Sequence, residues 1–86
     1  MDSKKKENIR KLFGSYLKNR RENILKIPSV RQLSFTSNLD HSKLTKIEKG
    51  LLDIRFDTLM EVALTYKLTP KQLFNFPIDF WKDEEE

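Results

Sequence analysis

Eighty-six residues with no Cys, one His, two Gly and three Pro describe one small domain built of long regular elements, with neither a disulfide framework nor a thiolate zinc site, in a reducing, cytoplasmic setting. The longest unbroken apolar run is three residues (Val62, Ala63, Leu64), which excludes a transmembrane span and a secretory core and sets the expectation of no membrane partner. The net charge of +4 is divided unevenly: residues 1–50 hold 13 basic against five acidic residues, a net of +8, and the remainder a net of −4, so one part is suited to a polyanion and the other is not.

The elements read as helices throughout, an all-α chain. Residues 1–8 form a basic tail with Lys4, Lys5 and Lys6. The apolar residues Ile9, Leu12, Phe13, Tyr16 and Leu17 follow the i, i+3, i+4, i+7, i+8 pattern and predict a first helix over residues 5–23, in which Gly14 is a tolerated cost. Residues 24–28 are a connector, because the residue before Pro28 is pushed out of the helical region. Ser29 and Gln32 have the spacing of a capping box opening a second helix over 30–37. Asn38 tolerates left-handed backbone, Leu39 is apolar, and Asp40 caps a third helix over 41–49, with Gly50 at the position past its end that wants positive φ. A loop over 51–55 leads to a fourth helix over 56–66 with the stripe Phe56, Leu59, Met60, Ala63 and Tyr66. Thr69 and Pro70 open a fifth that runs to residue 75, ended by Phe76 and Pro77. Residues 77–86 are an aromatic and acidic tail.

Residues 29–50 are the informative stretch. Two capped helices joined by the turn Asn38-Leu39-Asp40 are the helix-turn-helix plan, whose second helix enters the DNA major groove. The plan wants a small residue where the helices cross (Ser34), a turn residue tolerant of unusual φ (Asn38), an apolar plug (Leu39) and inward apolar positions on the second helix (Leu44, Ile47). Projected at 100° per residue, Leu44, Ile47, Glu48 and Leu51 fall on one side of that helix. Ser42, Thr45, Lys46 and Lys49 fall opposite, with His41 and Lys43 on the flanks, a cationic and hydrogen-bonding face suited to base edges and phosphates. Arg31 near the start of the second helix and Arg55 in the following loop are further phosphate candidates.

The run Ser29-x-x-x-Leu33-Ser34-x-x-x-Asn38-Leu39-Asp40-x-Ser42-x-Leu44-Thr45-x-Ile47-Glu48-Lys49-Gly50 resembles the lambda-repressor-like, Cro/repressor-type (Xre) helix-turn-helix family. Gly14-x-x-Leu17-Lys18-x-x-Arg21 resembles that family's first helix, and Leu59 to Phe74 its fourth and fifth, so the likeness spans residues 9–76. Departures are Ser34 for Ala, Asn38 for the turn Gly (an expected strain), Arg20 for an aliphatic residue, a connector two residues longer, and Ile54-Arg55 where a cap is usual.

The resemblance implies a compact five-helix lambda-repressor-like domain with a short C-terminal extension. It implies a sequence-specific double-stranded DNA-binding regulator of the repressor or restriction–modification controller type. By carry-over, His41, Ser42 and Lys46 read bases, with Lys43 and Thr45 beside them, while Arg31, Lys49 and Arg55 meet phosphates. Arg21 and Glu48 become a structural pair. Such proteins mostly act as dimers on half-sites ~34 Å apart. The expected homodimer anchors are Phe74, Phe76, Phe80 and Trp81, in the segment that holds five of the nine aromatics. The alternative is an antitoxin-like protein that holds a toxin partner through the aromatic tail and regulates its own operon. Neither catalysis nor a cofactor or metal is expected, since there is no Gly-rich phosphate loop and the lone His has no Cys or second His to partner it.

Overall fold

The computed structural model describes residues 1–78; Phe80 and Trp81, expected in the dimer interface, lie outside the described residues. Five α-helices follow one another: α1 (Ser3–Asn19), α2 (Val30–Ser34), α3 (His41–Glu48), α4 (Phe56–Thr65) and α5 (Pro70–Leu73), with no strand among the described residues. Every helix contributes to the core. Phe13 and Leu17 of α1, Leu33 of α2, Leu44 and Ile47 of α3, Val62 of α4 and Leu73 of α5 are buried, joined by Leu39 from the turn and by Tyr66 and Leu68 beyond α4.

Several boundaries differ from expectation for identifiable reasons. Asp2 accepts a hydrogen bond from the Lys5 amide at 2.7 Å, so α1 begins at Ser3, within the stretch read as a tail. At its other end the helix widens into a π-helical turn, Arg20–Ile24, and closes with the Leu25 amide on the Arg20 carbonyl. Helix α2 is three residues shorter than its pattern suggested, because Ser37 serves the turn instead. Its hydroxyl oxygen accepts from the Leu39 amide at 2.9 Å and meets the Thr65 hydroxyl at 2.6 Å. Asn38 consequently needs no left-handed backbone, and the expected strain is absent there; its side-chain amide donates to Glu61.

The left-handed residues are Lys26, Gly50 and Lys67. Gly50 closes α3 and Lys67 closes α4 in the same way. In each, the left-handed residue donates to the carbonyl three back and its successor to the one five back. Of the Ser29 capping box, the Gln32 amide to Ser29 hydroxyl bond forms at 3.1 Å; the full reciprocal box stands at Thr69 and Gln72. Arg55 caps α4 without a side-chain hydrogen bond.

Two close approaches seat α3 against α1. A Cβ on Gly14 would overlap the Glu48 carbonyl and lie 2.7 Å from that of Ile47; one on Gly50, whose φ is +72°, would lie 2.6 Å from the Cα of Lys11. Gly14, read as a tolerated cost, is instead the small residue that lets the two helices meet. Ser34, the small residue expected where α2 and α3 cross, is half-buried and donates to the Arg31 carbonyl.

One polar cluster crosses the core. Arg21 donates from Nε to Glu48 Oε2 and from Nη2 to Oε1, both at 2.9 Å, and from Nη1 to the Ile27 carbonyl at 3.0 Å. The Tyr66 hydroxyl donates to Glu48 Oε2 at 2.7 Å. The hydrogen bonds it donates to Glu48 hold the Arg21 guanidinium above its ordinary pKa, against the opposing effect of burial. Burial first, and the adjoining carboxylate second, push the Tyr66 phenol up. Nearby, Arg20 donates to the Tyr66 and Lys67 carbonyls at 2.6 and 2.7 Å and so satisfies the end of α4, which explains a charged residue at a position usually aliphatic.

Two outcomes follow in denaturant unfolding. Gly14→Ala, which at an open helical site gains ~1 kcal/mol, here loses ~1–3 kcal/mol because the clash is with backbone. Glu48→Gln leaves a buried guanidinium without its counter-charge and loses ~3–5 kcal/mol. The Tyr66 contribution is complete while the phenol is protonated in both states. Above about pH 10 the unfolded phenol ionises and the folded one does not, so stability falls with rising pH, and urea titrations between pH 8 and 11 should show a shallower fall for Tyr66→Phe.

Candidate nucleic-acid interface

Helix α3 is fixed at its start by Asp40, whose carboxylate accepts from the Lys43 amide at 2.7 Å. At its end the Gly50 turn fixes it. With Leu44 and Ile47 buried, His41, Ser42, Lys43, Lys46 and Lys49 project outward and are exposed. The structure therefore brings the four residues 41, 42, 43 and 46 to one surface. Thr45 lies beside this row. It is half-buried, and its hydroxyl is engaged with the His41 carbonyl at 2.8 Å, so it offers no free donor. Leu51, projected inward, is 66% exposed because the left-handed Gly50 redirects the chain.

The electrostatics of this surface are one-signed. Neither Lys43 and Lys46 of α3 nor Lys49 at its end is in an ion pair among the described residues. The two carboxylates that flank them are already engaged, Asp40 with the helix start and Glu48 with Arg21 and Tyr66. The surface can therefore attract an anion without internal competition.

The remaining candidates are spread more widely. Arg31 is exposed on α2, and Arg55 is exposed in the loop before α4. Lys49 lines a cleft of about 490 Å³ between α3 and α1, together with Thr45 and residues of α1 not singled out in the sequence. Their signal was present: Lys11, Ser15 and Lys18 sit at i, i+4 and i+7, a polar row on one side of the helix.

Of the aromatic residues assigned to self-association, Phe76 is half-buried and rests against the rings of Phe13 and Tyr16 at 5.4 and 5.6 Å, so it covers the monomer's core. Phe74 stacks on Phe13 at 6.4 Å and keeps 57% of its surface exposed. It borders an apolar groove of about 460 Å³ along α4 and α5, with Phe56, Met60 and Leu64 also exposed. Phe56, Met60 and Leu64 lie at i, i+4 and i+8, a second apolar row that merged in the sequence with the core row of Leu59, Val62 and Tyr66.

No helix among the described residues is long and apolar enough to cross a membrane, and no group of metal-ligating side chains occurs among them. No family model matches the chain, and no curated protein matches it. Among solved structures, it is similar to the restriction-modification controller protein C.AhdI from Aeromonas hydrophila. The TM-score is 0.67 at 26% sequence identity, over 79% of this chain and 96% of that one. By fold, the chain is an all-helical protein similar to that controller, with the five-helix, helix-turn-helix arrangement that the lambda-repressor-like, Cro/repressor-type (Xre) resemblance implies.

Proposed function

We propose that the protein is a transcriptional regulator of the repressor or restriction–modification controller type that binds double-stranded DNA in a sequence-specific manner. Helix α3 enters the major groove and reads base edges with His41, Ser42, Lys43 and Lys46. The observation that carries this reading is a recognition face with no side-chain partners among the described residues, on a helix whose two ends and underside are held in place. Lys46 is suited to the O6 and N7 acceptors of guanine, and Ser42 to either partner of a base pair. Arg31, Lys49 and Arg55 supply phosphate contacts, which position the helix without carrying sequence information. The similarity to a restriction-modification controller supports regulation as the task.

The regulator acts as a homodimer. One helix-turn-helix makes few base contacts, and pairing two copies on half-sites ~34 Å apart multiplies them. The α4–α5 groove is assigned to the second copy. Phe56, Met60, Leu64 and Phe74 leave 50–74% of their surface exposed around one apolar groove, the kind of surface that marks an interaction site. A two-fold axis through such a patch buries it against itself. Phe76 belongs to the monomer's core in this arrangement.

Selection of bound duplexes from random DNA tests the reading, and a two-fold symmetric site is the expected product. Ser42→Ala with Lys46→Ala then lowers the preference for that site by ~1–3 kcal/mol per lost base contact while weak, salt-sensitive binding persists. Unchanged preference in a gel-shift titration overturns the assignment of α3. Phe56→Ser with Leu64→Glu converts the dimer to a monomer in sedimentation velocity while helical circular dichroism is kept.

A further inference from the structure

We infer that the cleft between α1 and α3 is a second phosphate seat, so that the DNA-binding surface extends from the recognition helix onto the first helix. The inference rests on the reading of α3 as the recognition helix and adds to it residues with no role there. The cleft has cationic walls from both helices: Lys11 and Lys18 from α1, Lys49 from α3. Lys18 and Lys49 take part in no ion pair among the described residues. Lys11 holds Glu7 one turn away at 3.0 Å, but both side chains are about half exposed, and such a pair exchanges readily for a phosphate.

Two further features make the cleft receptive to an anion. At its floor lies Glu48, the one carboxylate of the lining, whose oxygens are occupied by the Arg21 guanidinium and the Tyr66 hydroxyl. Ser15 adds an exposed hydroxyl between the two α1 lysines. The spacing of the walls is set by backbone rather than by mobile side chains, since Gly14 abuts the Ile47 and Glu48 carbonyls and Gly50 abuts Lys11. The cations of α1 are thus carried at a fixed offset from the recognition face. Lys49, exposed at the end of α3, is itself a wall of the cleft, so the cleft adjoins the recognition face and lies on the side from which a groove's sugar–phosphate backbone would approach. The partner is a phosphodiester of the bound duplex, read for charge and position and not for sequence.

The test uses the full chain with Lys11→Gln and Lys18→Gln together, substitutions that keep helix propensity and remove only charge. Lys71→Gln on α5, outside the cleft, is the control. Binding is measured against the selected duplex and a random duplex of equal length across a salt series. The expected result is equal weakening on both duplexes and a slope of log K against log salt shallower by about 1–2, at ~0.9 per phosphate contact. The preference between duplexes is unchanged, and the control behaves as the wild type. A double variant with wild-type affinity and slope overturns the phosphate seat alone, because the wild type still discriminates. Loss of preference in the double variant, or an equal loss of slope in Lys71→Gln, also overturns it. A wild type that binds neither duplex overturns the DNA-binding reading and the seat with it.

Discussion

The Arg21 guanidinium and the Glu48 carboxylate meet where the end of α1, the connector, α3 and the end of α4 converge, and both are nearly sealed from water. Taking two charges out of water costs several kcal/mol each, so the pair is sustainable only with good mutual geometry and further hydrogen bonds. Both are present: two parallel bonds join the partners, the Ile27 carbonyl takes a third guanidinium hydrogen, and the Tyr66 hydroxyl serves the carboxylate. A bidentate pair tolerates little sliding or rotation. Its contribution is therefore to register more than to stability. It fixes α3 against α1 in one arrangement, and the exposed face of α3 inherits that precision.

The same requirement explains the irregular end of α1. An ordinary helix over 5–23 was the simplest reading of its apolar spacing, yet the chain widens at Arg20–Ile24. Two successive arginines have separate duties there, Arg20 on the carbonyls that end α4 and Arg21 on Glu48. The connector, two residues longer than the family pattern, accommodates the wide turn and the left-handed Lys26 that ends it.

Much of this was legible in the residues. The number of helices, the caps at Ser29, Asp40 and Thr69, the left-handed Gly50 and the inward pair Leu44 and Ile47 all follow from local chemistry and period. The misreadings have a common cause, which is that the deciding partner is distant in sequence. Gly14 looks expendable until α3 lies on it. Asn38 looks like the strained turn residue until Ser37 and Thr65 are seen to hold the turn. The rows Phe56-Met60-Leu64 and Lys11-Ser15-Lys18 were readable as periods but not as surfaces, since period alone does not say which of two faces the core will take.

The division of labour within α3 has a practical meaning. Leu44, Ile47 and Glu48 have their contacts inside the domain, whereas His41, Ser42, Lys43 and Lys46 have no side-chain partner among the described residues. The scaffold therefore does not depend on what those four residues are. Under the proposed function they form an exchangeable cassette: a different set, chosen for a different target, can be installed without repacking a single helix, provided the two glycines and the buried pair beneath are left in place.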